Sequence, residues 1–455
     1  MLADFIPDRR QTKDNTNWHG AVALTHGAHM TMMDTMDTYA KYLEILREEL
    51  IPAQGCTEPI AIAFAGALAT KVLGTFPDRL TVACSGNMIK NAKSVVVPNS
   101  GGQKGIAVAA ALGAVGGNPD LQLQVLTPVT PADAERARQL AAAGFCTVEL
   151  LKSIVNLHIQ VTAVAGNSSA VVEIAEEHTN VVRVEKNGKI LEGGEYKPDV
   201  QGHEESRAFM SIAGILDFAE NCNIEDVRDI LDKQILCNSN IAVEGLSHQY
   251  SMGVGRSLLD SRGSDVRTRA TAVAAAGSDA RMGGSDLPVI INSGSGNQGI
   301  TVSLPVIEYA RDLGLPDERL YRALLISNLV AIHNKSGIGR LSAYCGAVSA
   351  ACGSGAAITW MHGGSYQQIA DTIINTLVNV SGIVCDGAKS SCAAKISSAV
   401  DAAITAHDLS MQGKVFPAGE GIVKGDVEET IRSVSRLARE GMRETDIEVL
   451  HIMID

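Results

Sequence analysis

Apolar residues recur at helical spacing over residues 37–49, where Tyr39, Tyr42, Leu43, Ile45 and Leu46 share a face, and Pro52 closes the helix they predict. A continuous apolar run over 60–73, ended by Gly74, predicts a second, buried helix with Thr57 as its N-cap and Pro59 in its first turn. Residues 80–85 form a strand pattern, 86–91 a polar turn onto a helix or loop, 95–97 a short strand, and 106–115 a helix. β-Branched alternation predicts strands over 122–129, 154–164, 170–176 and 181–185, with a turn at Lys186, Asn187, Gly188 and Lys189. After a polar, linker-like stretch at 196–205 the period changes. Ala-rich helical spacing dominates 206–219, 225–237, 241–259, 265–276, 300–313 and 322–333. The pattern predicts an α+β chain: an N-terminal α/β domain with a mixed sheet over 37–200, then an all-helical domain over 201–455. Residues 1–36 are polar, lack an apolar signal core and read as a poorly ordered extension, with Met33 or Met36 as an alternative start.

Composition narrows the function. With 51 acidic against 38 basic residues the net charge is −13, which argues against nucleic acid or an anionic membrane as partner and favours a small-molecule enzyme. Forty-four glycines and 4% aromatics point to close backbone packing. Nine cysteines without disulfide-like spacing indicate a reducing compartment, and no apolar run is long enough to span a membrane, so the expected location is the cytoplasm.

Four of those cysteines, Cys345, Cys352, Cys385 and Cys392, fall in a segment rich in Ala, Gly and Ser over 341–392. Small buried hydrophobes and ligands of an iron–sulfur site are both consistent with them. Seven residues of straight helix rise ~10 Å, too far for two thiolates to share a compact cluster. Gly382 and Gly387 mark a loop at Cys385 that feeds a helix near Cys392 and can fold the two together. Cys56 is expected at the positive end of the 60–73 helix, where a thiol pKa falls, with Glu58 opposing that effect; filling space in a tight turn is the plainer alternative. The Gly-rich loop over 98–105 lacks the Ser or Thr of a phosphate-binding loop. Small-anion binding assisted by Lys90 or Lys104 and a plain strand–loop–helix connection both fit it.

Ser293, Gly294, Ser295, Gly296, Asn297, Gln298 and Gly299 spell G-x-G-x-x-G, but the segments that follow read as helices, so the βαβ context of dinucleotide binding is missing. Such a loop at a helix N-terminus instead offers amides to a carboxylate, and Arg281 just upstream adds a cation that pairs with that carboxylate or with Asp279. His333 and Lys335 are candidate acid/base or substrate-binding groups, or simply a basic helix C-terminus.

The stretches 54–59, 278–284, 292–299 and 385–389 resemble the L-cysteine desulfidase family, which is related to the iron–sulfur L-serine dehydratases. The resemblance covers the chain from about residue 37 onward. It implies a pyridoxal-independent β-elimination of cysteine to pyruvate, sulfide and ammonia on a 4Fe-4S cluster with one open iron. By the same resemblance Cys345, Cys385 and Cys392 are the ligands, with Cys352 or Cys56 as the substitute for Cys392. Cys56 stands where the dehydratases carry a histidine, and it is assigned to the active site as an acid/base or sulfur-handling group. The expected partners are a small amino-acid substrate and a second copy of the chain in a homodimer, with no nucleic acid and no membrane.

Overall fold

The computed structural model describes residues 32–197 and 207–454. The extension expected over 1–36 lies outside the described residues up to residue 31, and so does nearly all of the expected linker. The first helix, α1 (Met32–Glu49), starts before the predicted residue 37.

A six-stranded sheet carries the N-terminal part. Its strands are β2 (Arg79–Cys84), β3 (Cys146–Leu150), β4 (His158–Ala165), β5 (Ser168–Ala175), β6 (Val181–Lys186) and β7 (Lys189–Gly193), in spatial order β3-β2-β4-β5-β6-β7. Only β2 and β3 run parallel, which makes the sheet mixed as expected. Two expected strands are corrected. Residues 122–129 form a 3-10 turn (Pro119–Gln124) and the coil after it, because Leu123, Val125 and Leu126 all turn inward rather than alternate. Residues 95–97 contribute one bridge, Val96 with Lys104, so the Gly-rich loop folds back on itself.

Against the sheet lies α2 (Thr57–Leu73), apolar on every side and buried from Thr57 to Ala67, as a helix enclosed by neighbours must be. Its neighbour α4 (Ile106–Gly116) approaches backbone to backbone. A Cβ at Gly113 would stand 2.1 Å from the Ala63 carbonyl oxygen, and one at Gly66 2.8 Å from that of Ala110. Between β2 and α4 the chain forms the short helix α3 (Gly86–Ala92), and α5 (Pro131–Ala142) precedes β3.

The remainder is a helical assembly: α6 (Ile212–Asn221), α7 (Arg228–Ser247), α8 (Val254–Arg262), α9 (Val266–Met282), α10 (Gly296–Asp312), α11 (Asp317–Ser336), α12 (Gly346–Met361), α13 (Tyr366–Val380), α14 (Ser391–Met411), α15 (Val427–Arg436) and α16 (Arg443–Ile454). The two helices expected over 225–259 divide at 248–253 rather than near 238. Among the described residues no helix is long and apolar enough to cross a membrane.

One element crosses between the two parts. β1 (Pro52–Gln54) pairs antiparallel with β8 (Pro288–Ile290), in the register Pro52 to Ile290, Ala53 to Val289 and Gln54 to Pro288. The Ile291 amide extends the ladder to the Ile51 carbonyl at 3.0 Å, and the Gln54 side chain donates to the Asp286 carbonyl at 2.9 Å. On its other side β8 is held by the buried Asn238 of α7, which accepts from the Ile290 amide at 2.9 Å and donates to the Gly299 carbonyl at 3.1 Å.

The α2–α4 contact gives a direct test. Gly113→Val should lower the stability of the folded chain by about 3 kcal/mol, the upper range for overpacking a tight contact, measured as a shifted denaturant midpoint. An unchanged midpoint would show that the two helices separate freely.

Candidate functional site

The β1–β8 ladder sets two helix starts side by side. On one strand the chain leaves Gln54, turns at Gly55 (φ 51°) and enters α2 at Cys56. On the other it leaves Ile290, turns through Ser293 (φ 50°) and Gly294 (φ 76°) and enters α10. A serine with positive φ is uncommon and is held here by its surroundings. The Ser293 hydroxyl donates to Asn292 Oδ1 at 2.9 Å, and the Asn292 amide donates to Asn328 Oδ1 at 3.0 Å inside a buried chain that continues to Gln234. The Thr57 hydroxyl closes the pair of turns by donating to the Gly294 carbonyl at 2.9 Å. The N-cap of α2 is therefore Cys56, with extended backbone (φ −78°, ψ 129°), and not the predicted Thr57, whose hydroxyl is spent across the interface.

Two more helix starts meet these. Cys345 is the N-cap of α12, and Cys392 lies in the first turn of α14. An isolated bridge between Tyr344 and Val384 joins the segments before them, with Cys345 N donating to Ile383 O and Cys385 N to Ala343 O. In an antiparallel bridge the residues one step to either side of the pair share a face, so Cys345 and Cys385 are diagonal neighbours. A Cβ at Gly346 would stand 2.6 Å from Gln298 Cδ, which places the start of α12 against that of α10. Cys56, Val95, Met282, Ala388 and Cys392 form one apolar cluster that carries α14 to α2. None of the four helix starts receives a hydrogen bond from its own capping side chain. The four starts are thus neighbours, and uncapped first-turn amides at a helix N-terminus favour anions.

The thiols of Cys345, Cys385 and Cys392 each lie within electrostatic reach of the others. Cys352 is not brought to them: it lies inside α12, fully buried, against Tyr344. Lys335, 5% exposed, has an ammonium lowered to about 8 by burial, which outweighs the raising effect of the Cys385 and Cys345 thiols beside it. His333 points elsewhere. Its Nε2 lies 2.7 Å from Glu428 of α15, which also accepts from the Ile212 amide, so its contacts are those of a packing ion pair.

Arg281 ends α9 against the start of α10, since a Cβ at Gly296 would stand 2.3 Å from its Nε. The guanidinium is 2% exposed, acts on the Cys56 and Cys392 thiols, and forms no hydrogen bond or ion pair among the described residues. Asp279 is not its partner, because that carboxylate accepts from the Gly255 amide at 3.2 Å. At the same helix start Asn297 Oδ1 and Gln298 Oε1, and at the start of α14 Ser391 Oγ, are also buried without hydrogen-bond partners among the described residues. Native interiors leave few such atoms unsatisfied.

Burial and the neighbouring Glu58 carboxylate push the Cys56 thiol well above its ordinary range, outweighing Arg281, so the expected fall in its pKa does not occur. Burial likewise pushes Cys345 up to about 12.

The sequence pointed to Glu58 and Lys90, but not to their partners His178 and Asp446. Cys56 Sγ donates to Glu58 Oε2 at 2.8 Å, and His178, from the β5–β6 turn, faces the other oxygen of Glu58 at 3.9 Å. Lys90 of α3, read as an anion-binding candidate, is 1% exposed and reaches the Cys385 carbonyl at 3.3 Å and the Asp446 carboxylate of α16. The C-terminal helix α16 thus packs behind the cysteine loops. Removing one partner of a buried ion pair leaves the other uncompensated at a cost of about 3 kcal/mol. Asp446→Asn should therefore destabilise the fold by that amount in chemical denaturation; a neutral result would show that Lys90 finds sufficient partners in the loop carbonyls.

A family model described as serine dehydratase alpha chain matches residues 120–451. A UPF0597 protein of Lachnoclostridium phytofermentans is 55% identical over 420 residues, covering 92% of this chain and 100% of that protein. Another from Treponema denticola is 46% identical over 422 residues, covering 91% and 98% respectively. With a family model matched over most of its length and relatives this similar end to end, the chain belongs to the serine dehydratase alpha chain family.

Proposed function

We propose that the chain is a pyridoxal-independent, iron–sulfur-dependent lyase that converts L-cysteine to pyruvate, sulfide and ammonia. The observation that carries this reading is the buried guanidinium of Arg281, without a partner among the described residues, between Cys56 and Cys392 at the uncapped start of α10. An amino acid supplies the carboxylate such a cation requires.

The residues also fit a 4Fe-4S cluster. Among the described residues no three His, Cys, Asp or Glu side chains are arranged to hold a single metal ion. A cluster spreads its ligating sulfurs around a larger body, and it needs thiolates in a setting that tolerates negative charge. Cys345, Cys385 and Cys392 supply three thiols. Helix starts at Cys345 and Cys392 and the cations of Lys335, Lys395 and Arg281 supply the setting. When bound by three cysteines, the cluster supplies one iron without a protein ligand, a Lewis acid for the substrate's leaving sulfur.

The chain's own groups perform the rest. Arg281 and the amides at Gly296 and Asn297 bind and orient the α-carboxylate. Asn297 Oδ1 and Gln298 Oε1 are acceptors suited to the α-ammonium group. Cys56 as thiolate takes the Cα proton. The Cβ–S bond then breaks, the sulfur leaves with the electron pair as hydrosulfide, and water hydrolyses the resulting enamine, through its imine, to pyruvate and ammonia. Lys335 contributes a cation beside the ligand thiolates. The closely packed helix starts exclude bulk water from the proton transfer.

The family description supports a dehydratase-type lyase and names serine, so the substrate is the point to test. After anaerobic reconstitution with iron and sulfide and removal of the excess, L-cysteine should yield equal amounts of sulfide and pyruvate. Cys345→Ser, Cys385→Ser and Cys392→Ser should each abolish both the cluster absorbance and the reaction, and Cys352→Ser should retain both. Pyruvate from L-serine with none from L-cysteine would replace the substrate assignment, and retention of full iron by the Cys392 variant would replace the ligand set.

A further inference from the structure

Glu58 and His178 take no part in the chemistry described so far, yet they are buried behind Cys56 in a continuous row. Cys56 Sγ donates to Glu58 Oε2 at 2.8 Å, and Glu58 Oε1 faces His178 Nε2 at 3.9 Å. Glu58 is 7% and His178 5% exposed, and His178 Nε2 has no hydrogen-bond partner among the described residues. His178 comes from the turn between β5 and β6, so a turn of the sheet reaches the site. It lies against the substrate loop, since a Cβ at Gly294 would stand 3.2 Å from His178 Cε1.

The other charges near it are already matched. Arg340, which meets the same face of Gly294 as His178, is bound by Glu49 at 3.0 Å and by Glu177 at 2.7 Å. Glu58 is therefore the carboxylate that faces the imidazole without a guanidinium of its own. Burial raises the Glu58 carboxyl, but His178 and the Cys56 thiol outweigh it and hold it down near about 2.

We propose that Glu58 and His178 are positioning residues that accept the proton of Cys56, so that the thiol becomes the thiolate the β-elimination requires. The inference rests on that reading of Cys56. In the step, the Cys56 S–H bond breaks, a proton arrives at His178 Nε2 through the Glu58 carboxylate, and an N–H bond forms. Cys56 is left as thiolate and His178 as imidazolium, while Glu58 ends with the charge it began with. When Cys56 takes the substrate's Cα proton it is a thiol again, and His178 gives its proton at Nε2 to water as the products leave, which returns the row to its starting state. The contact of 3.9 Å exceeds a hydrogen bond, and catalytic contacts of this kind tighten when substrate binds. A carboxylate between a thiol and an imidazole also explains how a thiol so deeply buried can ionise: its negative charge appears together with a positive one a short distance away.

The test uses the reconstituted full-length protein. His178→Gln, which keeps the size of the side chain but cannot titrate, should lower kcat about 100-fold, the scale of general acid–base catalysis, with KM within about twofold and iron content unchanged. The acidic limb of the wild-type pH–rate profile should disappear. In a Cys56→Ser background the same substitution should cause no further loss, since both act on one step. Wild-type kcat with an unchanged pH profile, or an equal loss in the Cys56→Ser background, overturns the proposal. A second measurement does not depend on turnover. In protein labelled at histidine, the NMR titration of His178 should shift with Cys56→Ser and move to lower pH with Glu58→Gln. If neither variant moves it, the row is only packing, whatever becomes of the β-elimination reading; if both do, the coupling stands even if cysteine is not the substrate.

Discussion

A three-residue antiparallel ladder holds the site together. Its strands come from parts of the chain far apart, as the contact of Gln54 with the Asp286 carbonyl across 232 residues shows. Closing so long a loop carries an entropic cost that grows only logarithmically with length, so the packing around the ladder is sufficient to offset it. What the ladder fixes is register. A slip of one residue would turn Ala53, now fully buried, to the opposite side, and would separate Cys56 from Gly294. Asn238 guards the other edge of the ladder, where any loss of its amide would leave buried backbone groups without partners.

From that register the electrostatics follow. Four helix starts without side-chain caps, together with Arg281 and Lys335, make a region that attracts negative charge. Burial opposes the same charge, and for the isolated thiols burial dominates, as the raised Cys56 and Cys345 show. In the proposed function the negative charge arrives with its own compensation: iron for the ligand thiolates, and an imidazolium across Glu58 for Cys56. The Lys90–Asp446 pair stands behind the cysteine loops and fixes their carbonyls without adding a net charge.

Much of this was legible in the chain. Period-two patterns located β2, β4, β5 and β6, and apolar runs located the buried helices, because in each case one face or all faces of the element meet the core. β3 escaped notice because it lies at the sheet edge with Thr147 to Leu150 exposed on both sides, leaving no pattern to read. The start of α2 was placed correctly, but its cap was not, since the hydroxyl that would cap it locally has a partner more than two hundred residues away. Glycine spacing and a nearby cation pointed to the loop at Ser293 to Gln298 and to Arg281, which the fold sets side by side. A single histidine in a hairpin turn carries no such signal, and His178 acquires its meaning only from Glu58 and Gly294 beside it. His333 shows the reverse case: a histidine at a suggestive place in the sequence whose partner, Glu428, lies on another helix and removes it from the thiols.

The central claim is that these helix starts enclose a cluster with one iron exposed to an amino acid held by Arg281. Mössbauer spectroscopy of protein reconstituted with iron-57, recorded with and without L-cysteine, tests it most directly. The account predicts the spectrum of a four-iron cluster in which one iron site alone changes on adding L-cysteine, and in which Arg281→Ala protein shows no such change at the same concentration. A spectrum identical with and without the amino acid, or a protein that takes up no cluster, would contradict it.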